Sequence, residues 1–143
     1  MPRTINFPLT FLYSESTPTD PVRLPRVPVQ FLDFEDRRRF VALDMLVDSG
    51  ADVTSVPAWV IRSLSIDIDL LEIVEVGGVG GMIQAYRHEQ MPMRLGEILV
   101  LCPVVFIPDL KEPLLGREAV FDRFCFAFEQ HVWSMHVVES DIS

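Results

Sequence analysis

The run Phe40-Val41-Ala42-Leu43-Asp44-Met45-Leu46-Val47 has the composition of a strand, and it stops abruptly at Asp48-Ser49-Gly50-Ala51-Asp52. A carboxylate, a hydroxyl and a glycine then follow one another. Asp and Ser bond their own backbone and Gly tolerates positive φ, so the chain must turn here. Taken alone, Asp-Ser-Gly is a common turn sequence. The glycine also lets another backbone come close. A carboxylate at the mouth of a strand, beside such a place, is a candidate for chemistry.

The rest of the chain is cut into short pieces by Gly and Pro. Ile5 to Tyr13 reads as an outer strand. Ser14 to Pro28 carries Pro18, Pro21, Pro25 and Pro28 and is expected to be extended and weakly ordered. Val27 to Phe34 reads as a strand and Glu35-Asp36-Arg37-Arg38-Arg39 as a solvated loop tip. After the Asp48 turn come a short strand, Thr54-Ser55-Val56, and a short helix, Pro57 to Leu64, which Ser55 is placed to cap. Trp59 and Ile61 of that helix are assigned to the core. Leu70 to Val76 and Met82 to Met93 flank Gly77-Gly78-Val79-Gly80-Gly81, the pattern of a β-hairpin with a glycine-rich tip. Ile98 to Phe106 is nearly all apolar, hence a central strand, and Pro103 within it predicts a bulge or an N–H side facing outward. Leu114-Leu115-Gly116-Arg117 leads into a second short helix, Glu118 to Arg123, and a last hairpin spans Phe124 to Val138. The predicted class is all-β with two short helices.

Charge and composition exclude several function classes. The 143 residues fit one domain, and a formal net charge of -9, from 12 basic against 21 acidic residues, disfavours nucleic acid and anionic membrane surfaces as partners. Three scattered His and two Cys without a Cys-x-x-Cys give a metal site little support, and no cofactor is expected. Cys102 and Cys125 sit in apolar runs and read as small buried hydrophobes, with a disulfide between them left open. The N-terminus lacks a clean signal-peptide core, and the most apolar stretch, Ile98 to Pro108, is shorter than the ~20 residues of a membrane span, so a cytoplasmic protein is expected.

Three segments combine in order: Leu46-Val47-Asp48-Ser49-Gly50-Ala51-Asp52, the Gly77–Gly81 tip, and Leu114-Leu115-Gly116-Arg117. This arrangement resembles the retroviral-type aspartic proteases, the retropepsin family, over roughly residues 27 to 128. The resemblance implies a retropepsin-like acid protease barrel, one lobe per chain. Peptide hydrolysis by carboxylates takes two of them sharing one proton, one activating water and the other protonating the carbonyl oxygen. The chain carries one Asp-Ser-Gly. The expected enzyme is therefore an obligate homodimer in which the Asp48 side chains of two copies meet on a two-fold axis.

The same resemblance distributes the remaining roles. Ser49 would lock the two turns together, and Gly50 would offer its carbonyl to substrate backbone. Asp52 would receive a substrate N–H or pair with Arg117. Ala51, Gly116 and Arg117 would support the turn. Residues 76–82 would form a flap, with Gly78 and Gly80 flanking Val79, whose N–H would reach the substrate. Leu46, Val76, Val79, Ile83 and Leu114 would line apolar pockets, so cleavage between large apolar residues of an extended peptide is expected.

Residues 1–26 are assigned to an N-terminal extension, partly extended or flexible, 27–138 to the protease domain and 139–143 to a tail. The extension is a candidate to cover the cleft or to be removed by self-cleavage. The long last hairpin has no counterpart in the shortest viral enzymes, and a free-standing protease of bacterial or cellular type is the expectation. The alternative function is a weakly catalytic or non-catalytic dimerisation or peptide-binding module of the same fold. A generic all-β binding domain is the third reading.

Overall fold

The computed structural model describes residues 7–16, 22–78 and 80–140. The strands are β1 Leu9–Leu12, β2 Ser14–Glu15, β3 Arg23–Leu24, β4 Arg26–Leu32, β5 Phe40–Val47, β6 Thr54–Pro57, β7 Glu72–Gly78, β8 Gly81–Leu95, β9 Ile98–Ile107, β10 Leu114–Leu115, β11 Phe124–Glu129 and β12 Ser134–Glu139. One short α-helix, α1, spans Trp59–Ser63, and Ile68–Leu70 and Gln130–Val132 are single 3-10 turns.

The main sheet runs β4-β5-β10-β6-β9-β8-β7. β4 also pairs with β8, Gln30 opposite Arg94 and Phe31 opposite Met93, which closes six of these strands into a barrel. Closure removes the open edges that an isolated sheet would expose. β7 hangs outside on β8. A second sheet, β1-β12-β11, packs beside the barrel. Leu9 of β1 lies against Gly96, where an added Cβ would come within 2.9 Å of its Cδ1. Gly96 has φ +62 and turns β8 into β9, so the tight turn and the close packing both call for glycine there.

Alternation of apolar and polar residues sets each strand's inward face. In β4, Val27, Val29 and Phe31 are fully buried. They join Met45, Met91, Met93 and Phe106 in one core that also takes Phe124, Met135 and Val137 from the second sheet. Each such side chain contributes about 1.5–3 kcal/mol on burial.

Several expectations need correction. No helix forms over Glu118 to Arg123. The N–H groups of Val120 and Phe121 both bond the carbonyl of Arg117, and those of Arg123 and Phe124 bond Val120, so the segment is two successive turns. Ala119 stands at φ +63, a left-handed conformation that stops helix propagation. Ser55 does not cap α1: it lies in β6, and Ala58 precedes the helix without a side-chain cap. Ile61 is buried, but Trp59 is 53% exposed, because a helix of one turn buries only one stripe.

The proline-rich segment is also more ordered than its composition implies where it is described. Ser14 and Glu15 pair with Leu24 and Arg23. Arg26 donates to the Ser14 carbonyl and hydroxyl and to the Ser16 hydroxyl, each at 3.0 Å, and to Glu112. Arg23 lies over the Trp133 ring. Within the segment assigned to the extension, β1 pairs with β12 through Leu9–Leu12. Residues 1–6 and 17–21 lie outside the described residues, as do Val79 and residues 141–143.

Pro103 does coincide with a bulge. His88 faces Val104 and Met91 faces Cys102, so Glu89 and Gln90 together stand opposite one proline that has no N–H to give. Both cysteine thiols are free. Among the described residues no helix is long and apolar enough to cross a membrane, and no cluster of metal-ligating side chains occurs.

Candidate active site

The Asp48 turn joins β5 to β6, and β10 is inserted between those two strands. Leu114 and Leu115 pair in parallel with Leu46 and Val47, and Leu114 pairs antiparallel with Ser55. A two-residue strand has little hold of its own, so its register comes from the bonds around it. Leu46 N–H donates to the Pro113 carbonyl and Asp48 N–H to the Leu115 carbonyl, both at 3.0 Å. The chain leaving β10 then runs beneath the Asp48 turn.

There the turn is clasped from several sides. The N–H groups of Arg117 and Glu118 donate at 2.9 Å to the carbonyls of Ala51 and Asp52. The Arg117 guanidinium donates at 2.9 Å to the Ser49 carbonyl and pairs with the Asp52 carboxylate. Of the two roles expected for Asp52, pairing with Arg117 is the contact present. Its fork geometry lets one arginine hold both ends of the turn. Gly116 N–H donates at 3.1 Å to the hydroxyl of Thr54, which is fully buried. A Cβ on Gly116 would lie 2.5 Å from the Val53 carbonyl oxygen, so only glycine passes here.

Asp48 itself is half-buried, and its Oδ1 accepts a hydrogen bond of 2.8 Å from Gly50 N–H. That bond orients one carboxylate oxygen and leaves the other without a partner inside the chain, among the described contacts. Ser49 and Gly50 are exposed. Leu46, Asp48, Ser49, Gly50, Ala51, Asp52, Leu114, Gly116 and Arg117 are therefore brought together on one side of the barrel.

The glycine-tipped hairpin is present as β7–β8, with Gly78 opposite Gly81 and Val76 opposite Ile83. At its tip Gly80 stands at φ +97, and Gly81 follows at φ +125. Such angles are the reason for glycine at a tight hairpin tip. Val74, Val76, Ile83 and Ala85 share one face of the hairpin by register, and Ile73, Met82, Gln84 and Tyr86 share the other. The first face continues into Arg87, whose Nη2 reaches Glu118 at 3.6 Å. Glu89 bonds the same guanidinium at 2.8 Å, and this bond, more than the Glu118 charge, holds its pKa above the usual arginine range.

Three contributors were invisible to sequence patterning. Thr54 reads as a strand residue, and nothing in the sequence marks its hydroxyl as the partner of Gly116. Arg87 and Glu118 are 31 positions apart in the numbering and carry no joint motif.

A strand ending in Asp-Ser-Gly, with a Leu-Leu-Gly-Arg strand slotted beside it, is a topology that presents one carboxylate at the barrel surface. The model of the family described as gag-polyprotein putative aspartyl protease matches residues 40–120, more than half of the chain. The chain belongs to this family. It is a retroviral-type aspartyl protease lobe, and its all-β barrel is of the retropepsin kind. The match begins at β5 and ends in the turns after Arg117, so it contains all three motif segments. No curated protein matches the sequence.

Proposed function

We propose that the protein is an aspartic endopeptidase that works as a homodimer, with Asp48 from each copy forming the catalytic pair. The observation that carries this reading is the single Asp48 carboxylate, half-exposed on a turn clasped by Thr54, Gly116 and Arg117, in a chain of the aspartyl protease family. One lobe supplies one carboxylate, and the chemistry uses two.

In this mechanism the pair shares one proton, since two carboxylates in contact do not both ionise. The ionised member takes a proton from a bound water as the water oxygen attacks the scissile carbonyl carbon. The protonated member gives its proton to the carbonyl oxygen, leaving a neutral tetrahedral diol. On collapse the amide nitrogen is protonated, the C–N bond breaks, and acid and amine leave. Ser49 steadies the two turns across the axis, and Gly50 leaves its carbonyl open to substrate backbone. Asp52 and Arg117 hold the turn.

The substrate is a peptide or protein segment bound extended, as an added strand. Residues 76–82 act as the flap, with Gly78, Val79 and Gly80 at its tip. Leu46, Val76, Val79, Ile83 and Leu114 favour large apolar residues on both sides of the cleaved bond. Neither nucleic acid nor a membrane is a partner in this reading, and the setting is cytoplasmic.

The test is cleavage of casein between pH 4 and 7 by wild type and by Asp48→Ala, with and without a pepstatin-type inhibitor, alongside sedimentation to measure assembly. Cleavage favouring acid pH, blocked by the inhibitor and absent in Asp48→Ala, is the expected outcome. Retention of cleavage in Asp48→Ala refutes the dyad. A dimer that cleaves nothing favours a peptide-binding module of the same fold.

A further inference from the structure

We infer that Arg87 is a positioning residue: its ion pair with Glu118 fixes the pivot of the β7–β8 hairpin against the turn that clasps the Asp48 loop. The inference rests on the reading of the hairpin as a flap.

The pivot is defined by the pairing of β8. Toward its C-terminal end β8 is bonded to β9, and the last pairs are Arg87 with Val105 and Tyr86 with Phe106. Before Tyr86, residues 81–85 pair with β7 alone. The hairpin is thus a two-stranded arm that leaves the barrel at Tyr86–Arg87. An arm of this kind has no neighbouring strand to fix its angle, and two-stranded ribbons are the most freely twisted sheets. Its angle is set by whatever holds the two residues at its root.

Arg87 and Tyr86 point to opposite faces of the arm. On one face Tyr86 packs against the core and lines an open groove of about 870 Å³ with Trp59, Ile61, Ile66 and Ile68. On the other face Arg87 reaches Glu118 at 3.6 Å. Glu118 follows Arg117 directly, and its own N–H is bonded to the Asp52 carbonyl. The pair therefore ties the root of the arm to the same segment that clasps the Asp48 turn.

The bulge opposite Pro103 completes the device. It places Glu89 where its carboxylate takes the Arg87 Nε–H at 2.8 Å, leaving the Nη2 side of the fork for Glu118. Bulges commonly re-aim a side chain in this way. Glu72 stands opposite Arg87 in the hairpin register. Arg87 is only 23% exposed at its side chain, and Glu118 is 57% exposed, so the link is breakable rather than buried.

The experiment compares wild type with Arg87→Gln, Glu118→Gln and the double variant, all as full chains. Hydrogen exchange of hairpin amides 74–85 is read against amides of β5 and β9, and cleavage of a casein-derived peptide is followed for KM and kcat. A half-exposed pair corresponds to about two- to five-fold. Each single variant is expected to speed hairpin exchange and raise KM by about that factor, with β5 and β9 unchanged. The double variant should match Arg87→Gln, since Glu118 has then already lost its partner. In 1 M salt the wild-type advantage should shrink.

Unchanged hairpin exchange in both single variants overturns the inference. So does faster exchange spread evenly over β5 and β9, which marks a general structural role. Wild type without cleavage at any pH counts against the protease reading, and the exchange data still decide the pivot.

Discussion

Replacing Gly116 with alanine would place a Cβ 2.5 Å from the Val53 carbonyl oxygen and 2.9 Å from the Thr54 nitrogen. Both are backbone atoms, so no side chain can rotate away. Carbon and oxygen in unstrained contact stand about 3.3–3.6 Å apart, so β10 and the Asp48 turn would have to separate by about 1 Å. A displacement of that size breaks the Gly116 N–H bond to Thr54 Oγ1, now 3.1 Å, and loosens those from Arg117 and Glu118 to Ala51 and Asp52. Overpacking costs about 1–3 kcal/mol. Leaving the buried Gly116 N–H without its partner adds about 1–3 kcal/mol more. The sum, roughly 2–6 kcal/mol, is a large share of the 5–15 kcal/mol that holds a domain folded. Gly50→Ala is the matched control. Its Cβ would meet only Asp48 Oδ1, at 3.2 Å, on an exposed turn where the carboxylate can shift. Urea unfolding at one fixed protein concentration, followed by circular dichroism, should show Gly116→Ala losing at least about 2 kcal/mol or failing to fold. Gly50→Ala should stay within about 0.5 kcal/mol of wild type yet lose casein cleavage, because its methyl disturbs Asp48 and the approach of substrate backbone. Gly116→Ala within about 1 kcal/mol of wild type, or the reverse order of the two variants, would refute the reasoning.

Two further outcomes follow from groups away from the carboxylate. Burial pushes the Cys102 thiol up to about 12, while Cys125 is half-buried on β11. Iodoacetamide at pH 7.5 followed by peptide mass analysis should therefore label Cys125 well before Cys102 in the native protein, and equal labelling would contradict the buried placement of β9. Burial against the barrel lowers the pKa of His88, which stacks on Phe34 and accepts the Gln90 N–H. The unfolded chain then binds the proton more readily, so stability falls as pH drops below about 6.5 through the lower folded-state value. The stability of wild type relative to His88→Asn should decline between pH 7.5 and 5. A constant difference across that range would show that His88 does not contribute.

Much of the site was legible because its parts are local. Asp48-Ser49-Gly50 is a turn by chemistry, and the Gly77–Gly81 tip announces a hairpin through residues that need positive φ. Pro103 announced its bulge for an equally local reason, the missing N–H. Where expectation failed, the deciding contact was remote. Glu118 to Arg123 has helical composition, but delivering Val120 and Phe124 to the core turns Ala119 left-handed. Ser14–Ser16 looked loose beside its prolines, yet Arg26 ties it to Glu112, which stands 86 positions after that arginine. Trp59 looked like core because it is large and apolar, and the helix that carries it is too short to bury it.

The sequence by itself determined the class of the protein: an all-β chain with one aspartate turn, one glycine-tipped hairpin and one Leu-Leu-Gly-Arg segment. These depend on residue chemistry that acts over a few positions. The tertiary structure alone decided that β10 slides between β5 and β6, that β4 closes the barrel on β8, that β1 returns to β12, and that Thr54 and Arg117 clasp the Asp48 turn from both sides. A two-residue strand and a single buried hydroxyl have no periodicity to read. Their places follow from which backbone groups remain unpaired once the longer strands have met.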